Sequence, residues 1–528
     1  MSKFDEFIAS LPEKTVETEN GPVTGYVFGG VANFKGVRYA APPVGALRWR
    51  PPQPPLPWKD PLVTTKAGCI CPQDTLIFPA FGRMGDDCLN LNIWAPEKPG
   101  PYPLPVMVWL HGGSFNTGSG SVPLYDGTYF ASLGIIVVTI NYRLSALGFL
   151  AHPELTAESP GRISGNYGIL DQLFALEWVK SNIGNFGGDP GNVTIFGESA
   201  GGASVIALLS SPLAGGLFQR AIAQSCGNTP PLLRKLGESN RHLASAESLG
   251  LRFARKLGFD GGKGTLKKMR ALPAQGLVEE WFKSIQEDAD GVGFTGSWQL
   301  NHLIIDGHAL HGSPAETFRQ GKQHNVPFMT GTTADEGTLF RLLLFHGPED
   351  PGRYRRFVEK AFGEARDRVL EEYAANDADS AGQAACSVFG SGFFCGARRM
   401  ARSMSVIQPR TFRYLFSMPP KFFLYQLPDI PDWKERFGCF HAAEIPFVFH
   451  FLALPGLEEE DIALSGQMAG YWARFARTGD PNGDGNPHWP RYSHKDEQYL
   501  VLHNPVETGY GFRDKECDFV EQIEALQV

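Results

Sequence analysis

Two short, wholly apolar runs, VMVWL (Val106–Leu110) and IIVVTI (Ile135–Ile140), set the strongest limit on how this chain folds. Runs of this length, rich in β-branched residues and ending in polar, glycine-containing loops, are strands buried on both faces. Such strands need helices on either side, and the sequence supplies them. NYGILDQLFALEWVKSNIGNFGG carries Leu170, Leu173, Phe174, Trp178 and Ile183 on a predicted helix that closes on glycine. The strand NVTIF follows, then a glycine-framed turn, a helix through SVIALLSS and a strand at RAIAQS. Strand-like runs return at VPFMTG and TFRYLF. Strands alternating with helices predict an α/β fold with an open, mostly parallel sheet, whose chemistry lies at the carboxyl ends of the strands. Upstream, Val23–Ala40 reads as glycine-punctuated hairpin strands. CLNLNIWAP alternates Leu89, Leu91 and Ile93 with Asn90 and Asn92, the pattern of a half-buried strand.

Composition narrows the function. With 528 residues, 42% hydrophobic and 20% charged, and no sharp change of composition, the chain reads as one large catalytic domain over 1–528 with insertions. A net charge of −8 argues against a nucleic-acid partner, which requires a basic face. No segment is apolar for the roughly 18 residues a membrane helix needs. The opening MSKFDEFIASLPEK has no apolar signal core, so a cytoplasmic location is expected unless a leader has been removed. The eight cysteines form no CxxC pair, and in that compartment they are expected to be reduced thiols. DPNGDGNPHWPR begins with the spacing of a calcium loop, at Asp480, Asn482 and Asp484, but Arg491 stands where a bidentate glutamate is required. It reads as a proline-studded turn, and no metal or cofactor is expected.

FGESAGG (Phe196–Gly202) places Ser199 between Gly197 and Gly201. In a chain with 61 glycines a GxSxG match is weak alone. Its position after a buried strand and before a helix is what a nucleophile elbow requires. A serine nucleophile also needs oxyanion donors from a loop after an earlier strand. WLHGGSF offers the N–H groups of Gly112, Gly113 and Ser114, joined by that of Ala200. An acid and a histidine should follow in chain order. ADEGT offers Asp335 or Glu336 after a strand; His441, His450, His308 and His311 compete as base, and position alone does not decide among them.

Taken together, KGVRYAAPPVGALRWRPP, DDCLNLNIW, VWLHGGSF, NYRLSALGFL, GNYGILDQLFALEWVKSNIGNFGGDPGNVTIFGESAGG, ADEGT, HAAEIPFVF and FARTGDPN resemble the type-B carboxylesterase/lipase family, which includes the cholinesterases. The likeness runs from about residue 15 to the C-terminus. It implies an α/β-hydrolase fold with a helical, cap-like region at roughly 230–410 over a gorge, and a serine carboxylesterase that takes a small-molecule ester. Carried over by position, the nucleophile falls on Ser199, the acid on Glu336, the base on His441, and the oxyanion donors on Gly113, Ser114 and Ala200. The resemblance also implies disulfides Cys71–Cys88 and Cys395–Cys517, the first closing a flap over 71–88.

The 38 phenylalanines suggest an apolar, aromatic pocket. Phe115, Phe78, Phe81 and Phe340 are the aromatic candidates for its wall, with Glu198 beside the serine. No tryptophan lies between Cys71 and Cys88, so the cation–π contact by which cholinesterases hold a quaternary ammonium is missing there. Small to medium hydrophobic esters are expected substrates, and a loss of activity below about pH 6 to 7 is expected as the histidine is protonated. The same triad serves lipases, lactonases, amidases and thioesterases. Non-catalytic binding proteins of this fold usually lack a triad member, and this chain keeps all three.

Overall fold

The computed structural model describes residues 3–75, 79–226, 233–240, 243–288, 303–341, 350–421, 436–483 and 485–525. At its centre lies a 13-stranded sheet. Across it run Glu13–Thr18, Gly21–Phe28, Val31–Arg38, Asn90–Pro96, Ile136–Ile140, Leu104–Leu110, Gly188–Glu198, Arg220–Gln224, Phe328–Thr333, Thr411–Phe416, Tyr499–Leu502 and Glu507–Gly509, with Leu62–Val63 beside the second. From Ile136–Ile140 to Tyr499–Leu502 every neighbouring pair is parallel. The remaining strands along this order pair antiparallel at both margins. This is the α/β-hydrolase arrangement expected.

The period of two along each strand divides the interior into two cores. Val106, Val108 and Leu110 face one, with the helices Tyr167–Asn182 and Ala200–Ser210; Met107 and Trp109 face the other, with the helix Glu459–Thr478. The hairpin Gly21–Phe28/Val31–Arg38 turns at Gly29 and Gly30, whose φ angles of 58° and 78° suit glycine best.

Asn90–Pro96 differs from the half-buried strand expected, because its asparagine face is covered as well. Asn92 donates to Thr139 Oγ1 (3.0 Å) and to the Gly120 carbonyl (3.1 Å), and Asn90 to the Cys69 carbonyl (2.8 Å). These asparagines satisfy the backbone of loops that fold over the strand. In the turn that imitates a calcium loop, Asp480 instead accepts from the N–H of Asn482 (3.0 Å) and lies 3.4 Å from Arg491 Nη2, while Asp484 lies outside the described residues.

The cysteines correct two expectations. Cys395 and Cys517 are bonded, so the eight are not all thiols. Cys71 and Cys88 are unbonded: the buried thiols share a hydrogen bond, and Cys71 Sγ also accepts from the Leu144 N–H (3.3 Å). Both sulfurs therefore have partners without a covalent link. The Cys395–Cys517 bond ties the C-terminal helix Asp514–Ala525 to the long helix Ala378–Ile407, and Arg398 adds contacts to Asp518 (2.7 Å) and Glu497 (2.6 Å).

Because the Cys395–Cys517 link closes a segment of 122 residues, the double substitution to alanine should lower the midpoint of thermal unfolding by about 5 °C. Calorimetry checks this, and an unchanged midpoint would mean that the ion pairs suffice to hold the helix.

Candidate active site

The strand Gly188–Glu198 passes into the helix Ala200–Ser210 through Ser199 alone, at φ 58° and ψ −121°. For a residue with a Cβ this backbone costs about 1–3 kcal/mol, so the surroundings must impose it. A Cβ on Gly201 would lie 1.9 Å from the Leu110 carbonyl oxygen, and one on Gly197 would lie 2.6 Å from the same oxygen. The N–H of Ser199 donates to the Gln224 carbonyl (3.0 Å) on the adjacent strand. Close packing on both sides thus forces the turn and leaves Ser199 half-buried between the buried Glu198 and Ala200.

The loop after Leu104–Leu110 lies over this turn. Gly112 is so close that a Cβ there would meet Glu198 and the Ser199 Cβ at 2.9 and 3.2 Å. Gly113, Ser114 and Phe115 take φ angles of 108°, 54° and 57°, which turn the chain sharply. The loop is held from behind: Tyr142 OH donates to the His111 carbonyl (2.7 Å), and the Ser145 N–H donates to the Phe115 carbonyl (2.7 Å). The segment carrying Tyr142 and Ser145 is fixed in turn by the buried Arg143–Asp171 pair, with bonds of 2.8 and 2.7 Å. These contacts hold the loop, and Gly112 with it, against the turn at Ser199.

Glu336 follows the strand Phe328–Thr333 and is fully buried. One oxygen, Oε1, accepts from Ser225 Oγ (2.6 Å) and the Thr333 N–H (2.9 Å); the other, Oε2, is hydrogen-bonded to His441 Nδ1. Asp335 has a separate task. It accepts from the Cys439 N–H (2.9 Å) and its own N–H donates to the Cys439 carbonyl (3.0 Å), which sews the acid loop to the histidine loop. His450 bonds to Ser465 Oγ (2.9 Å), and His308 and His311 are exposed, so neither the other acid nor the other histidines meet Ser199.

On its far side, His441 Nε2 stands 3.0 Å from Glu198 Oε1 and, among the described residues, has no hydrogen-bond partner. Phe393 and Phe340 close over the imidazole, with ring centres 4.6 and 5.1 Å away. Burial alone would lower the pKa of His441, but the Glu198 and Glu336 carboxylates outweigh it and raise it to about 9. Burial, reinforced by Glu444 and Glu336, raises Glu198 to about 8. Glu444, whose Oε1 accepts from Gln224 (3.1 Å) and Tyr414 OH (3.4 Å), is raised to about 7, chiefly by burial.

Ser225, Gln224, Glu444 and Phe393 were not singled out in the sequence. Gln224 and Ser225 could have been, since they end a parallel strand next to the elbow. A phenylalanine in the middle of a helix carries no such signal. Among the expected pocket residues, Phe340 reaches the site, whereas Phe115 packs into the core against Phe149 (5.1 Å). Phe81 is exposed and Phe78 lies outside the described residues.

The Carboxylesterase family model matches residues 12–520. The chain belongs to the carboxylesterase family. It is 36% identical to the fumonisin B1 esterase of Sphingopyxis macrogoltabida over 517 residues, covering 95% of this chain and 88% of that protein. It is 35% identical to the para-nitrobenzyl esterase of Bacillus subtilis (strain 168), covering 94% of this chain and 96% of that one. A solved PNB esterase structure superposes with a TM-score of 0.79 at 33% identity, over 97% of this chain and 99% of that chain. This carboxylesterase is therefore a hydrolase of carboxylic esters. Among its described residues no helix is long and apolar enough to cross a membrane.

A base must be neutral to take a proton, so kcat/KM should fall as pH drops through the raised pKa of His441. The midpoint of the acid limb should lie above the ordinary histidine value of about 6.5, higher than the sequence alone implies. Glu198→Gln removes a negative charge beside Nε2 and should move this midpoint downward. A pH–rate profile with an unmoved midpoint would contradict the electrostatic role of Glu198.

Proposed function

We propose that this carboxylesterase cleaves small to medium, largely apolar esters by two acyl transfers through Ser199. What supports this reading is that His441, held by the buried Glu336, reaches Glu198, the chain neighbour of Ser199, against which the glycine loop packs at the carboxyl end of the sheet. Ser199 Oγ turns onto His441 Nε2 when substrate fills the site; contacts of this kind commonly tighten only in the complex. His441 takes the hydroxyl proton as Oγ attacks the ester carbonyl, and Glu336 holds the imidazole through Nδ1. The N–H groups of Gly113, Ser114 and Ala200 stabilise the oxyanion, and Gly112 allows the loop to approach. Collapse of the tetrahedral intermediate expels the alcohol, which takes the proton from His441, and leaves an acyl-enzyme. Water, deprotonated by the same histidine, then releases the acid.

The substrate range rests on the aromatic wall. Phe340, Phe393 and Phe389 form one cluster at His441, with Phe340 and Phe389 ring centres 4.4 Å apart. An apolar group gains from burial there, whereas a charged one would lose its water without a partner. The 71–88 loop is assigned as the flap, on the basis of the family resemblance and of Phe81, which it leaves exposed.

A fluorophosphonate followed by peptide mass spectrometry tests the assignment without knowledge of the substrate. A single adduct on Ser199, absent from His441→Ala, is expected; no adduct on folded protein would overturn the reading. Ser199→Ala should cost on the order of 10⁶-fold in kcat. Retention of a tenth of the activity would exclude Ser199 as the nucleophile.

A further inference from the structure

The segment that follows Cys71 reaches the glycine loop through one side chain. Gln73 is only 2% exposed, and its amide pairs with both backbone groups of Gly118. Oε1 accepts from the Gly118 N–H (2.7 Å), while Nε2 donates to the Gly118 carbonyl (3.0 Å) and to the Cys71 carbonyl (3.1 Å). With carbonyls before one end of the amide and an N–H before the other, only this orientation satisfies it. A polar side chain buried to this degree is tolerated because it is bonded in this way.

Gly118 stands at the far end of the loop. The turn before it is closed on itself, since the N–H groups of Asn116 and Thr117 both donate to the Gly113 carbonyl (2.9 Å each). Gly118 then packs back against the start of the loop: a Cβ on it would lie 2.4 Å from the Gly112 carbonyl oxygen and 2.6 Å from His111 Nδ1. Gly112 is in turn the residue that meets the elbow, where a Cβ would lie 3.2 Å from the Ser199 Cβ. Gln73, Gly118, Gly112 and Ser199 therefore form an unbroken line of contacts. Beyond Gly118 the chain is anchored independently, because the Gly120 N–H donates to Asn141 Oδ1 (2.8 Å) and its carbonyl accepts from Thr139 Oγ1 (2.6 Å). A change at Gln73 thus acts on the glycine loop and leaves that anchor in place.

We propose that Gln73 is a positioning residue for ester hydrolysis: its bonds to Gly118 set how closely the Gly112–Ser114 loop approaches Ser199, and so where the oxyanion donors stand. The inference rests on the reading of that loop as the source of those donors. A side chain unable to pair with Gly118 leaves its N–H and carbonyl without these partners, and the loop shifts to satisfy them elsewhere. Oxyanion stabilisation depends steeply on placement, and a displacement of about 1 Å costs on the order of 10²-fold. Binding of the apolar body of a substrate does not depend on those donors.

The test uses the full chain and the variants Gln73→Met, of similar size without the amide, and Gln73→Glu, which keeps an acceptor for the Gly118 N–H and loses the donors. Labelling of unaltered protein at Ser199 by a fluorophosphonate comes first; its absence would overturn the reading of the site and this proposal with it. Two ketones then separate the oxyanion from the apolar body. Hexyl trifluoromethyl ketone accepts a bond from Ser199 Oγ at its carbonyl carbon, the hydroxyl proton passes to His441, and the carbonyl oxygen becomes an oxyanion. Hexyl methyl ketone has the same body and does not form this adduct to a useful extent. Gln73→Met should weaken inhibition by the trifluoromethyl ketone at least about tenfold and lower kcat/KM for para-nitrophenyl butyrate by the same factor. Inhibition by the methyl ketone should stay within about twofold. Circular dichroism establishes that each variant is folded. If Gln73→Met does not fold, Gln73→Glu decides, with the trifluoromethyl ketone weakened at least about threefold and the methyl ketone unchanged. With Ser199 labelled, an unchanged trifluoromethyl ketone, equal weakening of both ketones, or failure of both variants to fold would overturn the role of Gln73 and leave the assignment of Ser199 standing.

Discussion

The approach of the glycine-framed turn to the Leu110 carbonyl is the contact on which the site depends. No side chain fits at Gly197 or Gly201, so the strand Gly188–Glu198 and the helix Ala200–Ser210 can press against the neighbouring strand. That pressure holds Ser199 in a backbone conformation a free chain would avoid. That Ser199 stays half-buried at the carboxyl end of a central strand, between two buried neighbours, is a packing outcome. The same closeness lets the Gly112–Ser114 loop lie within reach of that serine.

Around this turn the molecule buries several ionisable groups. Glu198, Glu336, His441 and Glu444 all lie within one water-poor cluster. Burying one such charge is expensive, and the cluster offsets this by sharing protons and by hydrogen bonds from Ser225, Thr333, Gln224 and Tyr414. Two carboxylates flank the imidazole, one at each nitrogen. This favours imidazolium, the species that proton transfer from serine would create, and raises the pH at which the free imidazole becomes available as base.

The parallel sheet and the elbow were legible because their signals are local: an apolar run of strand length, and small residues on either side of Ser199. The acid was ambiguous because Asp335 and Glu336 are adjacent. Only their different partners, the Cys439 N–H for one and His441 Nδ1 for the other, separate the residue that ties two loops together from the one that holds His441. Choosing among four histidines likewise depended on loop closure over a hundred residues away. Asn90 and Asn92 misled for the converse reason, since alternation reports what a strand exposes only until distant loops cover it. Cys71 and Cys88 were correctly brought together by the resemblance, but proximity in the fold does not determine whether two sulfurs are bonded.

The most direct measurement is a crystal structure of the protein after reaction with a small alkyl fluorophosphonate. The account predicts phosphorus bonded to Ser199 Oγ, with the phosphoryl oxygen about 2.7–3.1 Å from the N–H groups of Gly113, Ser114 and Ala200. It also predicts His441 still joined to Glu336 through Nδ1. A phosphoryl oxygen directed away from those N–H groups, or His441 turned off Glu336, would contradict the proposed division of work between the turn, the glycine loop and the buried pair.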